Sequence, residues 1–273
     1  MIKRLALVAA TAAALVTFIG SAGAITGNYE KDFEHDFVGL LVVYDDSGQF
    51  AGRCSGSLIS PKVFVTAGHC TTGTNKARVY FQQDAGVNYD PALGYDPKTG
   101  YPEFGGVTGT PYNYGFDDFA GYPETKDAGV VILDGKGYTP KSKKFAKLPA
   151  IGEVDAYVQR FKQDARFTVS GYGLSDRDPV IVSFRERLRA ESYLVNNQAP
   201  VTEFNLKTTA NPAQGKGGTC NGDSGGPVFF KGTYTIAAVT SFGMNGQCKG
   251  LDFSYRLDRQ EVQDWIRSPV DFG

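Results

Sequence analysis

Two stretches of the chain hold residues that could make and break an acyl bond: Thr66-Ala67-Gly68-His69-Cys70 and Cys220-Asn221-Gly222-Asp223-Ser224-Gly225-Gly226-Pro227-Val228. A serine hydroxyl is a poor nucleophile at neutral pH and needs a base to take its proton. An imidazole can serve when a buried carboxylate holds its tautomer and stabilises the imidazolium. The glycines around Ser224 leave backbone N–H groups open to an approaching carbonyl oxygen, where they can stabilise the charge that develops.

The chain has only two histidines, His35 and His69, and both precede Ser224. Gly222 to Gly226 also fits G-x-S-x-G, the nucleophile elbow of the α/β-hydrolases, but that fold places its histidine after the serine and a helix after the motif. Here no histidine follows Ser224, and Pro227 to Phe242 reads on as strand. His35, flanked by Glu34 and Asp36, reads as a surface histidine. For the carboxylate, Asp127 stands at the lip of the apolar run Asp127 to Leu133, where it can be shielded from water; Asp117, Asp118 and Asp134 are rivals on composition. No metal site is assigned. HExxH is absent, and Asp84, Asp90 and Asp96 fit no EF-hand spacing and read as exposed turn residues.

The elements that must position these residues are mostly strands. The 34 glycines, 15 tyrosines and many short Val/Phe/Thr runs favour strands joined by turns. Strands are expected at Phe37 to Tyr44, twice between Ser55 and Cys70 around a Ser-Pro turn, at Lys76 to Phe81 and at Asp127 to Leu133. A second set follows at Phe167 to Gly173, Glu186 to Val195, Gly225 to Phe230 and Tyr234 to Gly243. Gln82 to Pro123 has no periodicity and reads as a solvated surface loop. Gly135 to Gly152, polar and basic, reads as the linker between two β-rich halves. Only the end looks helical: Asp258 can cap, Glu261 can complete a capping box, and Val262, Trp265 and Ile266 share one face.

The N-terminus is a targeting segment in this reading. Lys3 and Arg4 precede an apolar run from Leu5 to Ile19, which falls short of the roughly 20 residues needed to span hydrocarbon. Ala22-Gly23-Ala24 offers the small-x-small cleavage pattern. The domain reading is a signal peptide over 1–24, an N-terminal β-barrel over 25–140, and a C-terminal β-barrel with terminal helix over 141–273. Export makes the protein secreted, with no membrane contact once the signal is removed. Without Lys3 and Arg4, 26 basic residues face 29 acidic ones; no basic block recurs, which argues against a nucleic-acid partner. Four cysteines in an exported chain without CxxC suggest two disulfides, with three connectivities open.

In their order and close to their spacing, Thr66-Ala67-Gly68-His69-Cys70, Lys126-Asp127-Ala128-Gly129-Val130-Val131-Ile132-Leu133 and the Ser224 motif resemble the chymotrypsin-like (trypsin-family) serine proteases. The resemblance covers nearly the whole chain after residue 24. It implies an all-β fold of two antiparallel β-barrels with the active site in the cleft between them. It also implies a secreted, monomeric endopeptidase acting on protein or peptide substrates without a cofactor. His69 would be the general acid/base, Asp127 its orienting carboxylate and Ser224 the nucleophile, with an oxyanion hole from the N–H groups of Gly222 and Ser224. Cys54–Cys70 and Cys220–Cys248 match the family's bridges. Ser241-Phe242-Gly243 resembles the pocket wall, with Ser241 expected to touch Asp127. The pocket-floor position, six before the nucleophile, is Gly218, followed by Thr219, so an uncharged floor is expected unless Asp252 restores a negative charge. Cleavage after Ala24 would leave Ile25-Thr26-Gly27, close to the family's activated N-terminus, whose ammonium pairs with the aspartate before the nucleophile, here Asp223. Two other readings keep this scaffold: a non-catalytic binding protein, a kind that usually lacks a triad member, and an esterase using the same triad.

Overall fold

The computed structural model describes residues 25–85, 105–158, 165–176, 182–183, 186–195, 201–209, 211, 215–244 and 246–268. The segment 1–24, expected to be a signal peptide, and the turn aspartates Asp90 and Asp96 lie outside them. Two short strands open the chain, β1 (Thr26–Gly27) and β2 (Tyr29–Lys31). Six antiparallel strands then form a closed barrel: β3 (Val38–Tyr44), β4 (Phe50–Leu58), β5 (Val63–Thr66), β6 (Lys76–Tyr80), β7 (Val107–Asn113) and β8 (Gly129–Leu133), in the order β3-β4-β5-β8-β7-β6. Val38, Leu40 and Val42 alternate with Gly39, Leu41 and Val43, yet all six are buried, because both faces of β3 are covered. β7 corrects the sequence expectation for Gln82 to Pro123. Val107–Asn113 pairs with β6 on one side and β8 on the other, and Pro111 breaks the local strand signal that tertiary pairing overrides.

The second half contains β9 (Arg166–Gly171), β10 (Leu174–Asp176), β11 (Val182–Ser183), β12 (Leu188–Tyr193), a helical turn α1 (Val201–Phe204), β13 (Asn205–Thr209), β14 (Gly217–Gly218), β15 (Pro227–Phe230), β16 (Ile236–Gly243), β17 (Leu251–Arg256) and the terminal helix α2 (Gln260–Ile266). Seven strands run in the order β13-β17-β16-β15-β9-β12-β2. An isolated bridge between Leu194, just past β12, and Thr208 of β13 links strands near the two ends of that array, curling it into the second barrel. The N-terminal strands belong to this half: β2 pairs with β12 and β1 with β14. Residues between Gly135 and Gly152 are strapped to both barrels. Ala146 N–H donates to Leu58 O, and Lys147 N–H to Tyr234 O, both at 2.8 Å.

His35 is the clearest departure from the sequence reading. It is buried, its ring stacked on Phe229 at 4.8 Å and its Nδ1 2.9 Å from Asp32 Oδ2. The acidic neighbours suggested solvent, but the partner is Asp32, one turn back. Asp32 also accepts from Ser170 Oγ at 2.6 Å, and Arg187 reaches Val38 O and Phe81 O of the first barrel at 3.1 Å each. Burial alone would raise Asp32; the His35 hydrogen bond and charge, Ser170 and Arg187 outweigh it and hold the carboxyl at about 2. At the other end, Asp258 does not cap α2, whose N-cap is Arg259 with no side-chain cap bond. Its carboxylate is taken instead by Arg256 and by the Val154 N–H. Val262 and Ile266 are buried on one face, and half-buried Trp265 packs on Tyr114 with ring centroids 5.2 Å apart.

Candidate active site

The first barrel delivers His69 and Asp127. β5 ends at Thr66, and the chain turns so that His69 N–H donates to Asp127 Oδ1 at 2.8 Å. The same carboxylate lies 2.9 Å from His69 Nδ1 through Oδ2, and the Ser241 hydroxyl donates to that oxygen. Asp127 is fully buried, whereas the His69 side chain is 25% exposed. A buried acceptor on Nδ1 fixes the proton there and leaves Nε2 as a base. Of the rivals, Asp134 is exposed and accepts from Thr108 Oγ1, while Asp117 and Asp118 sit in an exposed turn.

The second barrel delivers Ser224, which lines a cavity with His69, Arg53, Cys54, Cys70 and Gly222. The loop Cys220–Gly226 is shaped from both sides. Ser55, on β4, donates its hydroxyl to Gly222 O and its N–H to Ser224 O, each at 2.8 Å. With those carbonyls held inward, Asp223 N–H donates to Cys220 O, Gly225 N–H to Thr240 O and Gly226 N–H to Asp223 O. Among the described residues, no protein acceptor is found for the N–H groups of Gly222 and Ser224. Gly222 has φ +98°, a conformation that only glycine adopts readily. Two free donors on one strained turn can bind an oxyanion.

The role of Ser55 was missed in the sequence. So was the loop after β9. A Cβ on Gly171 would lie 2.3 Å from Asp223 Oδ1, so the Gly171-Tyr172-Gly173 spacing marks where a buried carboxylate approaches the backbone. Asp223 accepts from Gly173 N–H and Cys220 N–H, each at 2.9 Å. Burial pushes Asp223 up to about 7; the backbone donors oppose this, the charge of Asp252 adds to it, and Arg53 works against it. Ile25 is fully buried in the second core, and β1 runs beside β14, pairing Thr26 with Gly218.

A second cavity, of about 450 Å³, opens from Ser224 and is lined by Thr219, Ser241, Phe242, Gly243, Lys249 and Asp252 among others. Gly218 does not line it, being buried in β14. Asp252 does: it is 3% exposed, and Oδ2 accepts the Thr219 N–H at 2.7 Å. Burial lifts Asp252 to about 6 against the backbone and side-chain bonds of Thr219. The Cys220–Cys248 bridge clasps this wall, and Cys54–Cys70 clasps the His69 turn. Cys54, His69 and Cys70 lie close enough to suggest a metal site, but both sulfurs are committed to the disulfide. Part of the long loop also borders the cleft. Phe116 tilts toward His69 at 5.8 Å, and Phe119 meets Phe242, itself stacked on Phe253 at 4.7 Å.

Two antiparallel barrels meeting at a histidine, a buried aspartate and a serine define the chymotrypsin-like fold class. The trypsin family model matches residues 40–266, and the chain belongs to the trypsin family. It is 30% identical over 205 residues to a trypsin of Simulium vittatum, covering 71% of this chain and 72% of that one. HL collagenase superposes with a TM-score of 0.65 at 18% identity, over 90% of this chain and 98% of its own. Human heparin binding protein gives 0.59 at 19%, over 90% and 97%.

Proposed function

We propose that this chain is an exported serine endopeptidase. The observation that carries the reading is the single cavity onto which His69, held by buried Asp127, and Ser224, flanked by two unengaged N–H groups, both open. Ser224 Oγ attacks the scissile carbonyl while His69 Nε2 takes its proton. The C–N bond then breaks as His69 returns the proton to the leaving amine, giving an acyl-enzyme, and water repeats the cycle to release the acid. Gly222 and Ser224 N–H groups stabilise each tetrahedral oxyanion. Asp252, lining the cavity that opens beside Ser224, selects a Lys or Arg side chain before the cleaved bond. Cleavage after Ala24 frees the Ile25 amine to pair with Asp223.

A fluorophosphonate probe tests the reading. Covalent label at Ser224 of the folded protein, lost on denaturation or in His69→Ala, is the expected result. An unlabelled Ser224 in folded protein would leave a binding scaffold, and label with ester but no peptide cleavage would make it an esterase.

A further inference from the structure

Two cavities meet at Ser224, and different halves of the molecule build them. The cavity that holds Asp252 takes its walls from the second barrel and shares only Asn221 and Ser224 with the other. That other cavity, of about 380 Å³, is walled by the first barrel: Val43 on β3, Ala51 to Cys54 on β4, and the turn carrying His69, Thr72 and Thr74. In acyl transfer the residue before the cleaved bond stays behind on the serine. The leaving amine must lie against the histidine that hands it a proton. His69 lines the cavity of the first barrel and not the one with Asp252. The departing side of the substrate therefore runs through the first-barrel cavity.

No carboxylate lines that cavity among the described residues, and Arg53 is its one permanent cation. The two threonines do not compete for an acid. Thr72 Oγ1 donates to Gly68 O at 3.1 Å and Thr74 Oγ1 to Thr71 O at 2.9 Å, so both hydroxyl protons are spent within the first barrel. Arg53 is half-buried, and the adjoining Cys54 is bridged to Cys70, which fixes its strand against the His69 turn. Its charge is also felt by Asp223 across the cleft. A guanidinium can hold a carboxylate through two parallel N–H donors, and partial burial lessens screening by salt. We infer that Arg53 receives a carboxylate carried by the departing side of the substrate, so that this chain favours bonds followed within two residues by Asp, Glu or a free C-terminus. This rests on the reading of His69 and Ser224 as acid/base and nucleophile, and it holds whichever side chain the Asp252 cavity selects.

Internally quenched peptides test it. They share one sequence up to the cleaved bond, end in amides, and carry Glu, Gln or Lys at the first or second position after the bond. Rates are expressed per Ser224 reactive toward a fluorophosphonate. At one of the two positions wild-type kcat/KM should favour Glu over Gln by about fivefold and over Lys by about tenfold, less so as salt rises from about 0.05 to about 0.5 M. A second set ends two residues after the bond, as free acid or amide. Preference for the free acid there, with none for Glu in the first set, assigns the carboxylate to the chain terminus. Whichever set shows the preference, Arg53→Gln should bring its ratio close to one, Arg53→Glu should invert it, and Arg53→Lys should keep most of it. Each ratio is taken within one enzyme, so a general loss of activity does not imitate the effect. Equal rates throughout both sets, or a preference that survives Arg53→Gln, overturns the role of Arg53 while peptide cleavage keeps the endopeptidase reading. Neither label nor cleavage in wild type overturns both. If the variants do not fold, the wild-type ratios and their salt dependence decide alone.

Discussion

At the residue scale the division of labour among carboxylates follows from what each touches. Asp127 has two histidine contacts and a serine hydroxyl around a fully buried carboxylate. Asp127→Asn should therefore leave a folded protein with kcat down about 10⁴-fold, the size of that exchange in the type enzyme of this triad, because the amide favours the wrong histidine tautomer. Asp134→Asn, touching only Thr108 at the surface, should change kcat by less than about twofold on the same peptide substrate; the opposite ranking would reassign the carboxylate. Asp252 gives the second prediction. Wild type should cleave after Lys and Arg in a peptide library, and Asp252→Ala should shift preference to apolar residues. Wild-type cleavage after Phe, Tyr or Leu, unchanged by Asp252→Ala, would make Asp252 a bystander. His69 and Ser224 stand out in the sequence because their chemistry dictates short local motifs, whereas Asp127 is separated from its rivals only by the family resemblance. Asp252 does not stand out: its place in the pocket comes from β17 pairing with β16 and β13, a relation between strands that local residue types do not encode.

At the element scale, β4 does more than deliver the Cys54 half of a disulfide. Its Ser55 spans the cleft to hold Gly222 O and Ser224 O, and it accepts the Tyr172 N–H at 2.9 Å from the loop that supports Asp223. Ser55→Ala removes the hydroxyl bonds but keeps the backbone one. At about 1 kcal/mol for each bond lost, kcat should fall roughly 5- to 30-fold with KM nearly unchanged, since the oxyanion donors lose their aim and the pocket does not. Steady-state kinetics separate the two constants; a change confined to KM would refute the positioning role. The repeated strands and the terminal helix were legible from apolar runs and turn residues. Strand β7 was not, because its Gly, Thr and Pro residues are held by neighbours on both sides rather than by their own propensity. His35 was misread for a related reason: burial against Phe229 is a contact between halves of the chain that its sequence neighbours do not announce.

At the scale of the whole molecule, the N-terminal strands join the second barrel rather than the first, so the chain's start is placed beside the nucleophile loop. Thr26 pairs with Gly218, four residues short of Gly222, and Ile25 is fully buried. While Ile25 remains an amide, Asp223 has no ammonium partner and its protonated form is the one that folding favours. That advantage is complete below the ordinary carboxylate value of 3.8 and is gone once pH has risen through about 7, so a form of the protein with one Met retained before Ile25 (the retained-Met form) should lose stability between those limits. Freeing Ile25 reverses the sign. Pairing then lowers Asp223 and raises the α-amine above its reference of about 7.7–8.0. The pair's contribution is complete below that reference and is lost as pH rises through the raised value. The protein starting at Ile25 should thus be more stable than the retained-Met form at pH 7.5, by about 3 kcal/mol if the pair is as buried as Asp223, and its kcat/KM should decline on the alkaline side. N-terminal sequencing of the mature protein, denaturant unfolding of both forms from pH 5 to 10, and kcat/KM over the same range test this together. A mature start other than Ile25, or full activity and equal stability with the extra Met in place, would show that export does not activate this protein.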